Sequence, residues 1–411
     1  MDSKSHAHLA SGSLIFSLMA GYSIVYMDKN MISTAIIQIA DQFGFKTGQT
    51  GAIMSAFFLG YTLTLIVSGW LADRFGAKPV LLCSMLLIGL FSFLFSFSSS
   101  LGFFILIRCL AGMGHGGYPP SCTKAVAENF PRERRTFVQA LILSTSGIGG
   151  ILASTLGAAL IDRNWHVAYW VLGSLYLVAF VCILIFVPGD ALPKRGSAQA
   201  QAQAQVSSDG AAAKSKVSVG QLMRTRNVLV LFLSMLLLNI LLYGTMSWIP
   251  SYIKGTFKLT ITQTGGLLAF NAIFTTVATI FAGKLLSKLF LGKEKMAIFG
   301  AATITALLMV AFLTSHNLWL SVVVMILISC VAVVAFTGIF TWPHKIMDPA
   351  LIGSATGIIN TGGTIGGFLA PIISGYLVEV AGGSFVWAFG FMALMGFLSG
   401  LAVLLVKVQK A

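Results

Sequence analysis

Long apolar runs separated by short polar segments dominate the chain from end to end. A run of about 20 apolar residues crosses the hydrocarbon core of a bilayer as a helix, and a helix satisfies its own backbone polar groups in lipid. The pattern therefore predicts an all-α membrane protein with twelve transmembrane helices. The predicted spans are 12–40, 48–72, 78–98, 101–125, 136–160, 167–187, 227–250, 262–286, 295–314, 317–343, 350–378 and 383–406.

Composition and charge agree with a membrane protein. Of the 411 residues, 57% are hydrophobic and 9% are charged, whereas soluble domains carry roughly 25% charged residues. The net charge of +14 does not indicate nucleic-acid binding, because most Lys and Arg fall in alternate loops and in the two tails. A bias of this kind marks the cytoplasmic side. It places both termini in the cytoplasm and requires an even number of spans.

A polar, small-residue segment interrupts the apolar pattern at 189–226, where the sequence includes GSAQAQAQAQVSSDG. Such a composition is typical of a flexible linker. It separates an N-terminal half of six helices, 1–188, from a C-terminal half of six helices, 227–411. Two pseudo-symmetric halves with a substrate site between them, near the middle of the bilayer, are typical of secondary transporters.

The loop after the second span carries a recognisable motif, Gly69-x-Leu71-x-Asp73-Arg74-x-Gly76-x-Lys78. The motif closely resembles the signature loop of the major facilitator superfamily. The resemblance implies that Gly69, Asp73, Arg74 and Gly76 latch the cytoplasmic face when the site is open to the outside. The alternative is a positive-inside anchor with a turn glycine, although a plain anchor would not need Asp73. An eroded copy, with Ser287 in the place of Asp73, follows the eighth span.

Further motifs resemble the anion:cation symporter branch of this superfamily. They are Tyr26-x-Asp28-Lys29-Asn30 in the first span, Arg108-x3-Gly112-x7-Pro120, Trp248-Ile249-Pro250-Ser251-Tyr252 and Gly357-Ile358-Ile359-Asn360-Thr361-Gly362-Gly363. The resemblance implies proton-coupled uptake of a small organic anion, such as a sugar acid or another carboxylate, by alternating access. It also implies that Lys29 and Arg108 bind the anion. No cofactor is expected, since the proton gradient drives transport.

Charged residues inside the predicted spans are few, and they point to the same chemistry. A charge at the bilayer centre costs about 2.5 to 3.5 kcal/mol on insertion scales, so such residues usually serve a function. Here they are Asp28, Lys29 and Arg108, accompanied by His115. From the helical rise, Lys29 lies roughly 25 Å above the cytoplasmic end of its span and Arg108 roughly 10 Å below the outer end of its own. Two cations at a similar depth suggest an anionic substrate.

Asp28 and Lys29 are adjacent, so their side chains diverge by about 100° on a helix and need different partners. We expect Asp28 to face Arg108 or the neighbouring spans, and Lys29 to face the cavity. Burial favours the protonated form of a carboxylate and a nearby cation favours the ionised form. Asp28 is therefore a candidate for proton coupling.

His115 departs from the resemblance, which leads us to expect a glutamate seven residues after Arg108. Histidine titrates near neutrality and could keep a coupling role. Alternatively, it donates a hydrogen bond to the substrate, or it is a neutral buried histidine. Seven residues correspond to about two turns, so Arg108 and His115 share one helix face, which we expect to line the cavity.

Several other polar and aromatic residues are candidates for substrate contact. Each of them is also of a type that packs in helix cores or in the interfacial belt. The candidates are Tyr22, Tyr26, Tyr118, Tyr243, Trp248, Asn271, Trp342 and Asn360.

No motif indicates an enzyme, since the chain has no phosphate-binding Gly-Lys-Ser loop, metal-spaced Cys/His cluster or nucleophile elbow. The expected partners are the organic anion, protons and the lipid bilayer, with no nucleic acid and no resident metal. The chain is expected to be a monomer in a bacterial inner membrane. The alternative function is a proton-antiporting exporter of amphipathic compounds. It is disfavoured because the fifth span, SGIGGILASTLG, lacks the Gly-Pro pair typical of such exporters.

Overall fold

A computed structural model describes residues 2–189, 222, 225–290, 292–347 and 351–407. Each predicted span overlaps one long helix. The long helices are α1 (Asp2–Phe43), α2 (Thr47–Phe75), α3 (Ala77–Phe95), α4 (Leu101–Asn129), α5 (Arg132–Leu152, continued by a π-helical turn at Ala153–Gly157 and by Ala158–Arg163), α6 (Trp165–Phe186), α7 (Arg226–Phe257), α8 (Ile261–Lys284, continued by a π-helical turn at Leu285–Leu289), α9 (Glu294–Thr314), α10 (Leu318–Thr341), α11 (Ile352–Val380) and α12 (Val386–Val403). A four-residue helix, Pro343–Ile346, follows α10.

Polar side chains and glycine define several helix ends. Thr260 and Gln263 form a reciprocal capping box at the start of α8, and the Asn317 side chain accepts a hydrogen bond from the Trp319 N–H at the start of α10. These contacts satisfy backbone donors that have no partner within the helix. Gly76 joins α2 to α3 at φ 90°, a backbone conformation that glycine adopts without strain.

The helices have the length and apolarity of membrane spans. Among the described residues, nine helices meet both conditions, and the bent helix α2 adds a tenth. Helices α1 and α4 fall outside this count, and they carry Asp28, Lys29, Arg108 and His115. The two long helices outside this count are therefore the ones that carry the candidate site.

Helices α1–α6 pack mainly against one another and form the first group of helices. Helices α7–α12 likewise pack against one another and form the second group. Helix α2 packs on α4, and α6 packs on both α1 and α3; in the second group α7 packs on α11 and α12, and α9 packs on α10 and α12. The two groups meet along α2 and α11, along α5 and α8, and along α1 and α7. The predicted linker, 189–226, lies almost entirely outside the described residues.

Glycines allow the closest helix contacts. A Cβ atom at Gly112 of α4 would collide with the carbonyl oxygen of Phe57 on α2. In the second group, a Cβ atom at Gly366 of α11 would collide with the carbonyl oxygen of Leu236 on α7. Small residues of this kind let helix backbones approach in the membrane. Gly112 and Gly366 thus serve close packing between helices.

The two groups are joined by polar contacts at the predicted outer end. On one side, Glu379 at the end of α11 accepts a hydrogen bond of 3.0 Å from the Gly48 N–H at the start of α2. On the other side, Asp162 at the end of α5 accepts a hydrogen bond of 2.6 Å from the Thr262 hydroxyl at the start of α8. Each carboxylate therefore joins the end of a helix in one group to the start of a helix in the other.

At the predicted cytoplasmic end, the ion pairs among the described residues stay within each group. Lys124 pairs with Asp73 at 3.2 Å in the first, and Lys345 pairs with Glu294 at 2.5 Å in the second. A cavity extends between the groups to Ile280, close to the cytoplasmic end of α8. With both termini in the cytoplasm, as the charge bias predicts, the arrangement is inward-facing and its outer end is closed.

Candidate functional site

The cavity lies between the two groups of helices. Its volume is about 640 Å³, within the roughly 300–1,000 Å³ range of small-molecule sites. Helices α1, α5, α7, α8 and α10 form its walls. Lys29 is the sole charged residue among the described residues that line it.

The Lys29 ammonium is held by aromatic groups and not by a carboxylate. Its Nζ donates a hydrogen bond of 2.8 Å to the Tyr243 hydroxyl of α7. It also lies 5.3 Å from the ring centroid of Tyr26, 5.4 Å from that of Phe58 and 5.8 Å from that of Tyr61. Aromatic faces attract a cation without removing its charge. The site is thus a single positive charge at a cavity wall.

Asp28 points away from the cavity, into the first group of helices. Its Oδ1 accepts a hydrogen bond of 3.1 Å from Nη1 of Arg108, and the two side chains are 0% and 2% exposed. Asp28 Oδ2 and Arg108 Nε are buried without a hydrogen-bond partner. The ion pair leaves both members with unused hydrogen-bonding capacity.

His115 lies between the two charged sites. Its ring centroid is 5.0 Å from that of Phe57, which also faces the Arg108 guanidinium at 4.6 Å. On the other side it is 4.9 Å from Tyr61, one of the rings around Lys29. The His115 Nδ1 is buried without a partner. An aromatic layer therefore separates His115 from each cation.

Three further candidates from the sequence line the cavity. Tyr26 and Tyr243 contribute to the wall around Lys29, and Asn271 lies on α8. The Asn271 Oδ1 is buried and has no hydrogen-bond partner. It is an unsatisfied acceptor with almost no exposed surface of its own.

Arg108 and His115 do not line the cavity, although the sequence suggested that their shared face would. The reason is the rotation of α4, which turns this face toward Asp28 and Phe57, inside the first group of helices. Two tyrosines of the first span also differ in their position relative to the cavity. Tyr26 reaches the wall, whereas Tyr22 stacks behind it at 5.0 Å.

The other aromatic and amide candidates lie away from the cavity wall. The Tyr118 hydroxyl donates to the Leu18 carbonyl at 2.9 Å, in the interior of the first group. The Trp248 indole donates to the Pro371 carbonyl at 3.2 Å near the closed outer end. Asn360 is not among the lining residues, and Trp342 is buried beside the short helix after α10. In this arrangement Tyr118, Trp248 and Trp342 have packing contacts.

The predicted latch residues sit at the cytoplasmic end of α2. Asp73 bridges to Lys124 of α4, and Gly76 terminates the helix through a 2.8 Å hydrogen bond to the Ala72 carbonyl. Arg74 is exposed and lies 5.3 Å from the Trp70 ring. A Cβ atom at Gly69 would meet the Pro120 side chain of α4 at 4.0 Å. All of these contacts stay within the first group of helices.

Sequence reasoning missed two sets of residues. The first is Phe58 and Tyr61 of α2, which complete the ring of aromatic groups around Lys29. The second is a hydroxyl face on α8 formed by Thr275, Thr276 and Thr279. Asn271, Thr275 and Thr279 recur every four residues, and this stripe of polar residues in an apolar span is a signal that could have been read.

Comparison with known families identifies the fold. The sequence model of the Major Facilitator Superfamily matches residues 18–371. The chain belongs to the major facilitator superfamily. It is therefore a multi-pass membrane transporter and not an enzyme, and this fold was expected from the hydrophobic pattern and the signature loop.

The chain is similar to several proteins that are named as anion transporters. It is 27% identical over 88% of its length to a probable sulfoacetate transporter of Cupriavidus necator, covering 86% of that protein. It is 24% identical over 92% of its length to a hexuronate transporter of Bacillus subtilis, covering 90% of that protein. These relatives support the resemblance to the anion transporter branch.

Solved structures agree in fold. A bacterial homolog of the human lysosomal transporter Spinster, in an inward-facing and occupied conformation, superposes with a TM-score of 0.77 at 13% identity, over 96% of this chain and 95% of that one. A D-xylose-proton symporter superposes with a TM-score of 0.73 at 15% identity, over 95% and 96% of the two chains. At these identities the likeness shows the fold alone.

Proposed function

We propose that the protein is a proton-coupled importer of a small organic anion, working by alternating access. The observation that carries the proposal is the Lys29 ammonium, which lies at the wall of a cavity between the two groups of helices with no carboxylate partner among the described residues. The named anion transporters among its relatives support the same substrate class. The cavity is formed within one chain, so the proposal needs neither a partner subunit nor a cofactor.

The anion binds by replacing neutral contacts of Lys29. A carboxylate beside the ammonium gains a charge-assisted hydrogen bond, which is about twice as strong as a neutral one. The present partner, Tyr243, belongs to α7 in the second group, whereas Lys29 belongs to α1 in the first. An anion at Lys29 therefore acts where the two groups meet, and it can bias their relative position.

Asp28 carries the proton in this proposal. Asp28 directly follows Tyr26 and Met27 and shares a helical turn with Lys29. Its Oδ2 has no hydrogen-bond partner and can accept a proton. Protonation of Asp28 removes one negative charge from the first group of helices. The bound anion brings one negative charge to the adjacent residue, Lys29. Opposite charges attract and like charges repel in the low dielectric of the interior, so the proton and the anion favour each other's binding, as linkage requires.

His115 is a second proton site in the proposal. Its free Nδ1 lies between the rings that face Lys29 and the ring that faces Arg108. A proton here adds a positive charge close to the bound anion. The roles of Asp28 and His115 are separable by substitution, because the two side chains have different partners.

The latch role of Gly69, Asp73, Arg74 and Gly76 belongs to the opposite, outward-facing arrangement. Asp73 is 80% exposed on its side chain and Lys124 is its sole ion-pair partner among the described residues. We propose that Asp73 and Arg74 contact the second group of helices when the cytoplasmic end closes. Arg108 is not part of this latch. In the proposal it remains the ion-pair partner of Asp28, behind the cavity wall.

Uptake into membrane vesicles tests the proposal. Radiolabelled carboxylates should accumulate under an inward proton gradient, and a protonophore should abolish accumulation. Accumulation should be lost in Lys29→Gln and in Asp28→Asn. The exposed controls Lys258→Gln and Asp41→Asn should retain accumulation. Carboxylate uptake that ignores the gradient, or that survives Asp28→Asn, contradicts the coupling part of the proposal.

A further inference from the structure

We infer that the protein binds an anionic phospholipid of the cytoplasmic leaflet in a groove between α8 and α10. This lipid groove is separate from the cavity between the two groups of helices, so the inference does not depend on the proposed function. Three features carry it: the position and length of the groove, the exposed apolar surface around it, and the lysines at its cytoplasmic end.

The lipid groove is lined by one face of α8 and by part of α10. On α8 it extends from Ala278 to Leu289, and on α10 it includes Cys330 and Val334. Its volume is about 450 Å³, and Lys284 is the sole charged residue among the described residues that line it. None of its lining residues belongs to the wall of the cavity, which uses other faces of the same two helices. The groove is therefore a second and almost entirely apolar site.

The length of the groove matches one leaflet of a bilayer. Eleven residues separate Ala278 from Leu289 along α8, which corresponds to roughly 16 Å at the helical rise. The hydrocarbon core of a bilayer is about 30 Å thick, so one leaflet provides about half of that distance. Because α8 runs from the predicted outer end to the cytoplasmic end, the groove lies at the depth of the cytoplasmic leaflet.

The surface of α8 beside the groove is exposed and apolar. Phe281 and Leu289, which both line the groove, are 60% and 71% exposed. Phe274, two turns before Phe281, is exposed as well. In a membrane protein an exposed apolar surface of this kind faces lipid. The groove is thus open to acyl chains, and an acyl chain is the occupant that its apolar lining fits.

Lysines gather at the cytoplasmic end of the groove. Lys284, Lys288 and Lys293 are all exposed, and no acidic residue occurs in the sequence before Glu294, which has an ion-pair partner of its own. The Lys284 Nζ lies 5.9 Å from the ring centroid of Phe281, a contact that leaves its charge intact. Basic pockets between transmembrane helices on the cytoplasmic side bind anionic head groups.

The apolar lining and the lysines together select for an anionic phospholipid. Its acyl chain occupies the groove, and its phosphate lies beside Lys284 and Lys288, whose long side chains reach toward the head-group region. Each lysine near an anionic lipid surface strengthens binding about fivefold. A zwitterionic phospholipid gains less, because its own ammonium group offsets the charge of its phosphate. We therefore expect a preference of at least about tenfold for the anionic lipid.

The reactivity of Cys330 reports occupancy of the groove. The other four cysteines are replaced, and the rate of modification of Cys330 by N-ethylmaleimide is measured on the purified full chain in detergent. The protein is titrated with phosphatidylglycerol, with phosphatidylcholine or with inorganic phosphate. Phosphatidylglycerol should protect Cys330 at about tenfold lower concentration than phosphatidylcholine, and inorganic phosphate should not protect it.

Substitutions assign the preference to the lysines. In Lys284→Gln/Lys288→Gln, phosphatidylglycerol should protect no better than phosphatidylcholine. The matched control is Lys407→Gln, which removes an exposed lysine from the same end of the second group of helices and should keep the preference of the parent protein. A second control retains Cys83 as the single cysteine. This residue is exposed on α3, and phosphatidylglycerol and phosphatidylcholine should affect its modification equally.

The outcomes decide the inference independently of transport. Equal protection by the two lipids, or a preference that survives Lys284→Gln/Lys288→Gln, would overturn the anionic lipid site. Protection by inorganic phosphate would show an anion site that needs no acyl chain. Protection that rises with protein concentration and not with lipid would assign the groove to a second copy of the chain. Each of these results contradicts the inference and leaves proton-coupled import untouched.

Discussion

Two adjacent residues of α1 face opposite environments. Asp28 is buried against Arg108 at 3.1 Å, while Lys29 reaches the cavity and Tyr243. The helical geometry predicted that they would diverge, and the structure confirms it. Because both side chains lie on one helix turn, a change in the charge of one alters the electrostatic potential at the other. In the proposed mechanism, this adjacency couples proton binding at Asp28 to anion binding at Lys29.

The buried pair makes a stability prediction. Asp28→Asn leaves the Arg108 guanidinium buried without a counter-charge, and breaking a buried pair in this way costs about 3 to 5 kcal/mol. The free energy of unfolding should fall by this amount in Asp28→Asn, and it should largely recover in Asp28→Asn/Arg108→Met. The measurement is urea or thermal unfolding in detergent. Asp41→Asn, on the exposed end of the same helix, should change stability by less than about 0.5 kcal/mol. An unaffected single variant would contradict the buried pair.

At the scale of helices, two related contacts close the outer end. Helix α5 occupies the same place in the first group as α11 in the second, and α8 corresponds to α2. Asp162 ends α5 and accepts from Thr262 of α8, while Glu379 ends α11 and accepts from Gly48 of α2. Both carboxylates contact the positive end of a helix dipole. The repeat that is eroded in the loops is thus preserved in these contacts.

Loss of both contacts should shift the protein away from the inward-facing arrangement. If each contributes about 1 kcal/mol, removing one changes the equilibrium about fivefold. Asp162→Asn/Glu379→Gln should therefore reduce labelling of Ser144→Cys by a thiol reagent applied from the cytoplasmic side. The experiment uses a background in which the five native cysteines are replaced, and it is normalised to labelling after denaturation. Unchanged or increased labelling would show that these contacts do not hold the outer end closed.

The latch predicts the opposite shift. If Asp73 stabilises the closed cytoplasmic end, Asp73→Asn should increase labelling of Ser144→Cys in the same assay. The Asp73 member of its present ion pair with Lys124 is 80% exposed, and exposed pairs contribute at most about 1 kcal/mol. A loss of protein stability would therefore not explain an increase in the labelling of Ser144→Cys. A decrease in labelling would contradict the latch and favour a role for Asp73 as an anchor.

For the molecule as a whole, the sequence predicted the architecture better than the site. Apolar runs and the signature loop were sufficient for the fold, because lipid leaves helices few alternatives. The rotation of each helix about its axis depends on tertiary packing, and the sequence did not reveal it. For this reason the face of Arg108 and His115, expected at the cavity, lies behind its wall. Phe58 and Tyr61 were missed because aromatic residues are common in any membrane helix.

Protons that enter together with the anion would distinguish proton-coupled import from uncoupled uptake. Purified protein is reconstituted into liposomes that contain a pH-sensitive dye, with no initial pH gradient, and D-gluconate is added outside. We expect the lumen to acidify as the anion enters, and we expect Lys29→Gln and Asp28→Asn to abolish acidification while Lys258→Gln does not. Entry of the anion without acidification of the lumen would contradict proton coupling.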